Sequence, residues 1–145
     1  MIIEKSCGAV VFTRQEGLIK YVIVQSKTGV YGFPKGHVED GESEEEPARR
    51  EIFEETRLKV DFIKGFRAED TYTFEINGKR IKKNVVYFLA EYSAQAPIAQ
   101  QSELNAVCLM DYESCIDSFQ FENSKKILSD AYSYLMEADN LRPQG

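Results

Sequence analysis

The stretch GHVEDGESEEEPARREIFEETRL, residues 36–58, decides the fold of this chain. It holds nine of the 24 acidic residues within 23 positions, and good helix formers fill residues 44–56. Ser43 followed by Glu46 has the spacing of a capping box, and Pro47 would stand in the first turn, where its missing N–H is tolerated. The composition therefore predicts a helix over residues 44–56.

Three glutamates fall on one face of this predicted helix. At about 100° per residue, Glu51, Glu54 and Glu55 share a stripe, while Ile52 and Phe53 lie roughly opposite and are expected to face a core. Such like charges repel one another by a few tenths of a kcal/mol per pair, and no basic residue lies between them on that face. A divalent cation bound between the glutamates would replace this repulsion by attraction, because clustered carboxylates suit hard ions such as Mg²⁺ or Mn²⁺. On composition alone, a solvated acidic face is the competing interpretation.

The spacing within the stretch decides between these interpretations. The Nudix box is a glycine, five residues, Glu, seven residues and then Arg-Glu-apolar-x-Glu-Glu-x-Gly-apolar. The stretch resembles it at eight of nine positions: Gly36, Glu42, Arg50, Glu51, Ile52, Glu54, Glu55 and Leu58. Arg57 stands where the last glycine is expected. A glycine just past a helix commonly takes φ > 0, which costs another residue about 1 kcal/mol, so the exception concerns the helix end and not the carboxylates.

The resemblance to the Nudix family implies a fold and a metal-dependent hydrolase of phosphoanhydrides. The fold implied is α/β, a mixed β-sheet sandwiched between α-helices, and we expect a single domain over residues 1–145. The cofactor implied is Mg²⁺ or Mn²⁺. Its expected ligands are the side chains of four glutamates and one backbone carbonyl: Glu51, Glu54, Glu55, Glu103 and the carbonyl of Lys35. The catalytic residues expected are Arg50, Glu51, Glu54 and Glu103. Arg50 would orient the carboxylates, and either Glu51 or Glu103, from a distal loop, would be the general base.

Four stretches resemble the asymmetrical diadenosine tetraphosphate hydrolases of that family, in the same order: GFPKGHVEDGES (32–43), GFRAEDTY (65–72), NVVYFLAE (84–91) and QFENSKK (120–126). This resemblance implies Mg²⁺-dependent hydrolysis of diadenosine tetraphosphate to ATP and AMP, with a nucleotide polyphosphate as the binding partner. The substrate-binding residues expected are Lys35, His37, Tyr72, Lys83, Tyr87 and Phe121. Tyr87 and Phe121 match the positions that stack on adenine, and Lys83 matches a lysine directed at phosphates.

Other functions remain open at this point. A damaged nucleoside triphosphate or the 5′ end of RNA would use the same box with a different pocket, and a nucleotide-sensing module would keep the fold without turnover. ADP-ribose hydrolases are disfavoured, because no proline occurs between Pro47 and Pro97. Core packing competes with substrate contact for Tyr72 and Tyr87. The basic run over residues 79–83 is a candidate polyphosphate contact, although a solvated strand edge would look the same.

Composition limits the remaining possibilities. A net charge of −6 and a pI near 4.9 argue against a general nucleic-acid binder, which needs a broad basic surface. Cys7, Cys108 and Cys115 form no paired metal spacing and are odd in number, so we expect a reducing, cytoplasmic location. No apolar run is long enough to span a bilayer, so we expect no membrane partner. The oligomeric state is not determined by the sequence.

Periodicity and turn residues place the other elements. Strands are predicted at 6–13, 20–26, 60–68, 69–76, 80–92 and 105–111, with a turn at 14–18 and a hairpin at Asn77-Gly78. Residues 27–36 contain three glycines and Pro34 and predict a loop without regular structure, and 93–105 predict another loop. A final amphipathic helix is predicted over 121–138, with its core face at Ile127, Leu128, Ala131, Leu135 and Met136.

Overall fold

A mixed sheet forms the middle of the protein in a computed structural model, which describes residues 1–39 and 41–141. Within those residues the strands are β1 (Ile2–Gln15), β2 (Leu18–Ser26), β3 (Tyr31–Gly32), β4 (Lys35–His37), β5 (Asp61–Phe62), β6 (Ala68–Ile76), β7 (Lys79–Glu91) and β8 (Leu104–Met110). The helices are α1 (Glu45–Thr56), α2 (Tyr112–Ser118) and α3 (Glu122–Leu141).

β1 and β7 form the centre of this sheet and run parallel, from Ile2 opposite Ile81 to Phe12 opposite Glu91. The order across the sheet is β3-β2-β1-β7-β5, and β4, β6 and β8 pair antiparallel with β1, β7 and β2 respectively. The prediction of a mixed sheet is therefore confirmed. Asn77 and Gly78 both have positive φ, 51° and 76°, as the predicted two-residue hairpin requires.

Alternate residues of the central strands build a core on each face of the sheet. On one face, Val10 and Phe12 of β1 pack with the buried side of α3, which presents Ile127, Leu128, Ala131 and Leu135, with Met136 partly buried beside them. On the other face, Ala9 and Val11 pack with Ile52 of α1. The predicted sandwich and the predicted core face of α3 are thus confirmed. Within the described residues, no helix combines the length and the apolar character needed to cross a membrane.

Several predicted element bounds are wrong. Residues 60–68 contain the two-residue strand β5 and only the first residue of β6, because a turn at residues 64–65, with Gly65 at φ 96°, separates the two strands. The predicted loop over 27–36 contains β3 and begins β4, since the chain returns alongside β2 and then β1. Helix α2 was not predicted at all. It begins after Asp111, whose side chain accepts a hydrogen bond from the Ser114 N–H at 2.8 Å.

The start of α1 also differs from the prediction. Glu44, and not Ser43, is the N-cap residue, and it makes no capping hydrogen bond with its side chain. The Glu44 carboxylate instead accepts hydrogen bonds from Lys5 at 2.6 Å and from Arg67 at 2.8 Å. The predicted capping box of Ser43 and Glu46 is wrong, because α1 begins one residue later, with Glu44 as its N-cap. Pro47 does lie in the first turn, as expected.

The end of α1 follows the prediction in its backbone but not in its packing. Arg57 has φ 63° and ψ 12°, and its N–H donates to the Phe53 carbonyl at 2.7 Å, so the left-handed position expected for the missing glycine is confirmed. Phe53 does not face a core, since 38% of it is exposed, and the Arg57 guanidinium lies 5.4 Å from the centre of its ring.

Candidate active site

Arg50 holds three glutamates of α1 and the preceding loop in place. Its guanidinium donates to the Glu51 carboxylate at 2.7 Å and to the Glu42 carboxylate at 3.0 Å, and lies 3.6 Å from a Glu54 oxygen. It also donates to the backbone carbonyl of His37 at 3.0 Å. The hydrogen bond from Arg50 lowers the pKa of Glu42. No basic residue lies between the three glutamates on their face, but Arg50 contacts two of them, in keeping with the prediction that it orients the carboxylates.

Glu51 occupies space that exists only because residue 36 is glycine. A Cβ atom added to Gly36 would lie 1.9 Å from the carboxyl carbon of Glu51. Burial, followed by the charge of Glu54, raises the pKa of Glu51, and the hydrogen bond from Arg50 opposes that shift. Gly36, on β4, and Glu51, on α1, therefore form one unit in which a desolvated carboxylate is held against backbone.

Glu55 is the most desolvated of the three glutamates in the stripe. It accepts a hydrogen bond from the backbone N–H of Lys35 at 2.8 Å. Burial raises the pKa of Glu55 to about 7, although that hydrogen bond lowers it, and the charges of Glu51 and Glu103 raise it further. The same contact brings the start of β4 against the last turn of α1, so the Lys35 backbone lies beside the carboxylates.

The loop that carries Glu103 is tied to the end of α1. The N–H groups of Ile98 and Gln100 donate to the carbonyls of Thr56 and Glu55 at 2.9 and 3.1 Å, and the Glu103 N–H donates to the Gln100 carbonyl at 3.0 Å. These hydrogen bonds place the exposed Glu103 close enough to Glu55 for its charge to affect the pKa of that residue. Two segments that are far apart in sequence meet here.

The oxygen atoms of this region suit a hard divalent cation without forming a complete metal cage. Among residues 1–39 and 41–141, no three His, Cys, Asp or Glu side chains are arranged to hold a metal ion. Glu51 and Glu54 are turned toward Arg50, and Glu55 toward the Lys35 N–H. A cation would nevertheless fit the donors, because carboxylate oxygens are its preferred ligands and burial raises the pKa of Glu51 and Glu55 despite their hydrogen bonds. The individual ligands stay predictions.

A cavity of about 740 Å³ opens next to Glu55. Four of the six predicted substrate-binding residues line it: Lys35, Tyr72, Tyr87 and Phe121. His37 and Lys83 are not among the described residues of its lining. The Lys83 charge is close, however, since burial and then Lys83 lower the pKa of Lys35 to about 8. The cavity therefore joins a carboxylate of α1, a desolvated lysine and aromatic rings.

The cavity is lined by an aromatic ring that was not among the predicted site residues. Phe33, which was not predicted as a site residue, lines it and packs edge-on against Tyr87 and Phe119, with ring centres 5.3 and 5.2 Å apart. Tyr87 is only 6% exposed, whereas Phe121 is 59% exposed. Tyr87 is thus held in place by its packing against Phe33, whereas Phe121 lies at the solvent-exposed side of the cavity. The position of Phe33 directly before Pro34 in a glycine-rich loop was the available signal.

Comparison with known proteins tests the predicted family. The protein-family model described as the NUDIX domain matches residues 4–131. The chain belongs to the Nudix family. It is a Nudix hydrolase with the Nudix fold, as the box predicted.

Relatives of this Nudix hydrolase cover nearly the whole chain. A mouse protein named bis(5′-nucleosyl)-tetraphosphatase [asymmetrical] is 29% identical in an alignment that covers 90% of this chain and 95% of the mouse protein. The rat protein of the same name is 30% identical over the same shares. Among solved structures, a C. elegans Ap4A hydrolase binary complex has a TM-score of 0.77 and 23% identity, covering 92% of this chain and 98% of that chain. That structural similarity supports the fold.

Proposed function

We propose that this Nudix hydrolase cleaves diadenosine tetraphosphate asymmetrically, to ATP and AMP, with Mg²⁺ as its cofactor. The observation that carries the proposal is one cavity that brings Tyr87 and Phe121 together with Glu55 of the box. A base between aromatic side chains and a phosphate chain at clustered carboxylates is the arrangement that a dinucleoside polyphosphate requires. Relatives named as asymmetrical tetraphosphatases over 90% of the chain support the same choice.

In this proposal, each group of residues has a separate task. The cation would be held by Glu51, Glu54 and Glu55, with the Lys35 carbonyl and Glu103 beside them, and would supply positive charge to the phosphate oxygens and acidify a water. Arg50 keeps the carboxylates oriented through its hydrogen bonds to Glu42 and Glu51. These residues act before any bond is broken, by holding charge in fixed positions.

The substrate is positioned by the cavity. One adenine stacks on Tyr87 and Phe121, and the ammonium groups of Lys35 and Lys83, together with His37, contact the phosphates. Because the base is held at one end, the phosphorus atom that reaches the carboxylates is determined by its distance along the chain. Water then attacks that phosphorus, the bridging oxygen leaves with the other nucleotide, and Glu103 or Glu51 accepts the proton of the attacking water.

Product analysis tests this function directly. The purified protein is incubated with diadenosine tetraphosphate and Mg²⁺, and the nucleotides are separated by anion-exchange chromatography, with EDTA and Glu54→Gln as controls. We expect equal amounts of ATP and AMP, none with EDTA, and a rate reduced on the order of 100-fold in Glu54→Gln. Two ADP molecules as product, or rapid hydrolysis of dNTPs with none of diadenosine tetraphosphate, would exclude the proposed substrate. No hydrolysis of any nucleotide polyphosphate would favour the sensing module.

A further inference from the structure

An acidic side chain lines the cavity that is proposed to take a polyphosphate. Asp70 of β6 lies in its wall, and its carboxylate accepts a hydrogen bond from the side-chain amide of Asn123 at 2.8 Å. A carboxylate here would repel an anionic ligand, so its presence needs a separate reason. The hydrogen bond provides one, because it joins the sheet to the first turn of α3 across the cavity.

The first turn of α3 has little else that fixes it to the sheet. The buried side of α3 begins at Ile127, one turn further along the helix. Within residues 121–126, as the structure describes them, the Asn123 amide is the side chain that hydrogen-bonds to a strand, whereas Lys125 pairs with Glu122 of its own helix at 3.3 Å. Phe121 stands just before this turn and is 59% exposed. Its position therefore depends on how the turn is held.

We propose that Asp70 and Asn123 are positioning residues that hold Phe121 across the cavity from Tyr87, and so set the width of the gap that takes a purine base. Tyr87 cannot adjust to a different width, since it is 6% exposed and packs against Phe33. Any change in the width of the gap therefore requires a movement of Phe121. The proposal rests on the proposed function only in placing a base between these two rings.

β6 is suited to this role because of where its side chains point. Opposite Asn84, Thr71 lies on the other face of the β6–β7 pair and its hydroxyl forms a hydrogen bond to the Asn84 side chain at 3.1 Å. Asp70, one residue earlier, points to the cavity face. Thr71→Val therefore removes a hydrogen bond from the same strand without touching the cavity, and is a matched control.

Steady-state kinetics with diadenosine tetraphosphate test the pair. Asn123→Ala removes the donor, and Asn123→Asp sets two carboxylates against each other. The double variant Asp70→Asn/Asn123→Asp restores a hydrogen bond with donor and acceptor exchanged, and it has the same net charge as the unchanged protein. We expect both single Asn123 variants to raise KM at least about fivefold with kcat within about twofold, and the double variant to return KM to within about twofold. Thr71→Val should leave both constants unchanged.

These outcomes separate positioning from general stability. Loss of an ordinary stabilising bond would lower the melting temperature without moving KM of the folded enzyme, and the exchanged pair would not restore KM selectively. Unchanged KM in both Asn123 variants would overturn the proposal. A fall in kcat as large as the rise in KM would also overturn it, because the pair would then act on the reacting groups and not on the base.

A binding measurement tests the pair independently of the reaction. The chain has no tryptophan, so Phe121→Trp introduces a single fluorescent reporter at the gap. We expect ATP to quench this fluorescence, and Asn123→Ala in the same background to weaken ATP binding at least about fivefold. If diadenosine tetraphosphate is not hydrolysed but this dependence on Asn123 holds, the proposed substrate fails and the positioning role stands. Equal ATP affinity in both backgrounds, or no quenching at all, would overturn the positioning role.

Discussion

Gly36 and Glu51 show why one residue of the box has to be glycine. The carboxyl carbon of Glu51 lies 1.9 Å from where a Cβ of residue 36 would be, so any side chain at 36 must displace that carboxylate. Because the displaced group is the far end of a flexible side chain, the backbone has no need to move. The conflict therefore affects the position of Glu51 more than the stability of the fold.

We predict that Gly36→Ala lowers kcat on the order of 10- to 100-fold, the range seen when a group that orients a metal ligand is lost. The melting temperature should change by no more than about 4 °C, the equivalent of roughly 1 kcal/mol in a domain of this size. Glu51→Gln, which leaves residue 36 unchanged, is the comparison and should lose turnover to a similar degree. Full turnover in Gly36→Ala would show that Glu51 does not need this position.

Arg57 combines a backbone cost with a side-chain gain. Its left-handed conformation, φ 63°, costs a non-glycine residue about 1 kcal/mol, while its guanidinium over the Phe53 ring returns about 0.5 to 1 kcal/mol at an exposed site. Arg57→Gly removes both the backbone cost and the contact with the Phe53 ring. Arg57→Ala removes only the ring contact and keeps the backbone cost, so the two substitutions should differ in stability.

We predict that Arg57→Gly has a free energy of unfolding within about 0.5 kcal/mol of the unchanged protein, and that Arg57→Ala is less stable than Arg57→Gly by about 1 kcal/mol. Urea denaturation of the three proteins measures both differences. Equal stability of the alanine and glycine variants would mean that the left-handed position carries no strain.

At the scale of elements, the start of α1 is fixed by charges from two other segments. Lys5 of β1 and Arg67, just before β6, both pair with Glu44, and these hydrogen bonds lower the pKa of Glu44 to about 2. A carboxylate whose pKa is lowered by folding stabilises the folded state above its unfolded pKa, near 4.5. That contribution disappears as the pH falls from about 4.5 towards 2.

We predict that Glu44→Gln lowers the free energy of unfolding at pH 7 by roughly 1 kcal/mol, a modest value because the three side chains are partly exposed to solvent. The difference from the unchanged protein should shrink as the pH falls below 4.5 and vanish near 2. Glu45→Gln is the control, since Glu45 also lies in the first turn of α1 but has no ion pair among the described residues. Urea denaturation at pH 7, 4 and 3 measures the change, and a difference independent of pH would contradict it.

Elements with strong local signals were predictable, and elements made by tertiary contacts were not. The apolar runs of β1 and β7, the Asn77-Gly78 hairpin and the core side of α3 all follow from residue patterns. The short strands β3 and β4 contain glycine, and form only because β2 and β1 offer free edges. The ion pairs of Glu44 at the start of α1 could not be predicted, because its partners Lys5 and Arg67 are 39 and 23 residues away.

At the scale of the whole molecule, the site is assembled from segments that lie far apart in sequence. The box itself was visible, because its residues are held on one helix and the loop before it. Glu103 lies near Glu55, and Phe33 packs against Tyr87, only because hydrogen bonds and packing in the folded chain fix the loops that carry Glu103 and Phe33. The pair Asp70 and Asn123, 53 residues apart, had no pattern that could reveal it.

The two cores on opposite faces of the sheet should unfold together. They are built on alternate residues of the same strands, so loosening one face removes the support of the other. We therefore propose that residues 1–145 act as a single domain. Leu128 of α3 and Ile52 of α1, each 0% exposed, sample the two faces.

We predict that Leu128→Ala and Ile52→Ala each lower the free energy of unfolding by about 2 to 5 kcal/mol, the usual cost of a large-to-small change in a packed core. In urea, tyrosine fluorescence and far-UV circular dichroism should give one coincident transition for each variant, with an unchanged m value. Tyr21 and Tyr87 lie in the core on one face and Tyr92 in the core on the other, so tyrosine fluorescence reports on both faces. Two transitions in either variant, or a fall in m for one face alone, would mean that the faces unfold as separate units, because a single cooperative domain cannot lose one core and keep the other.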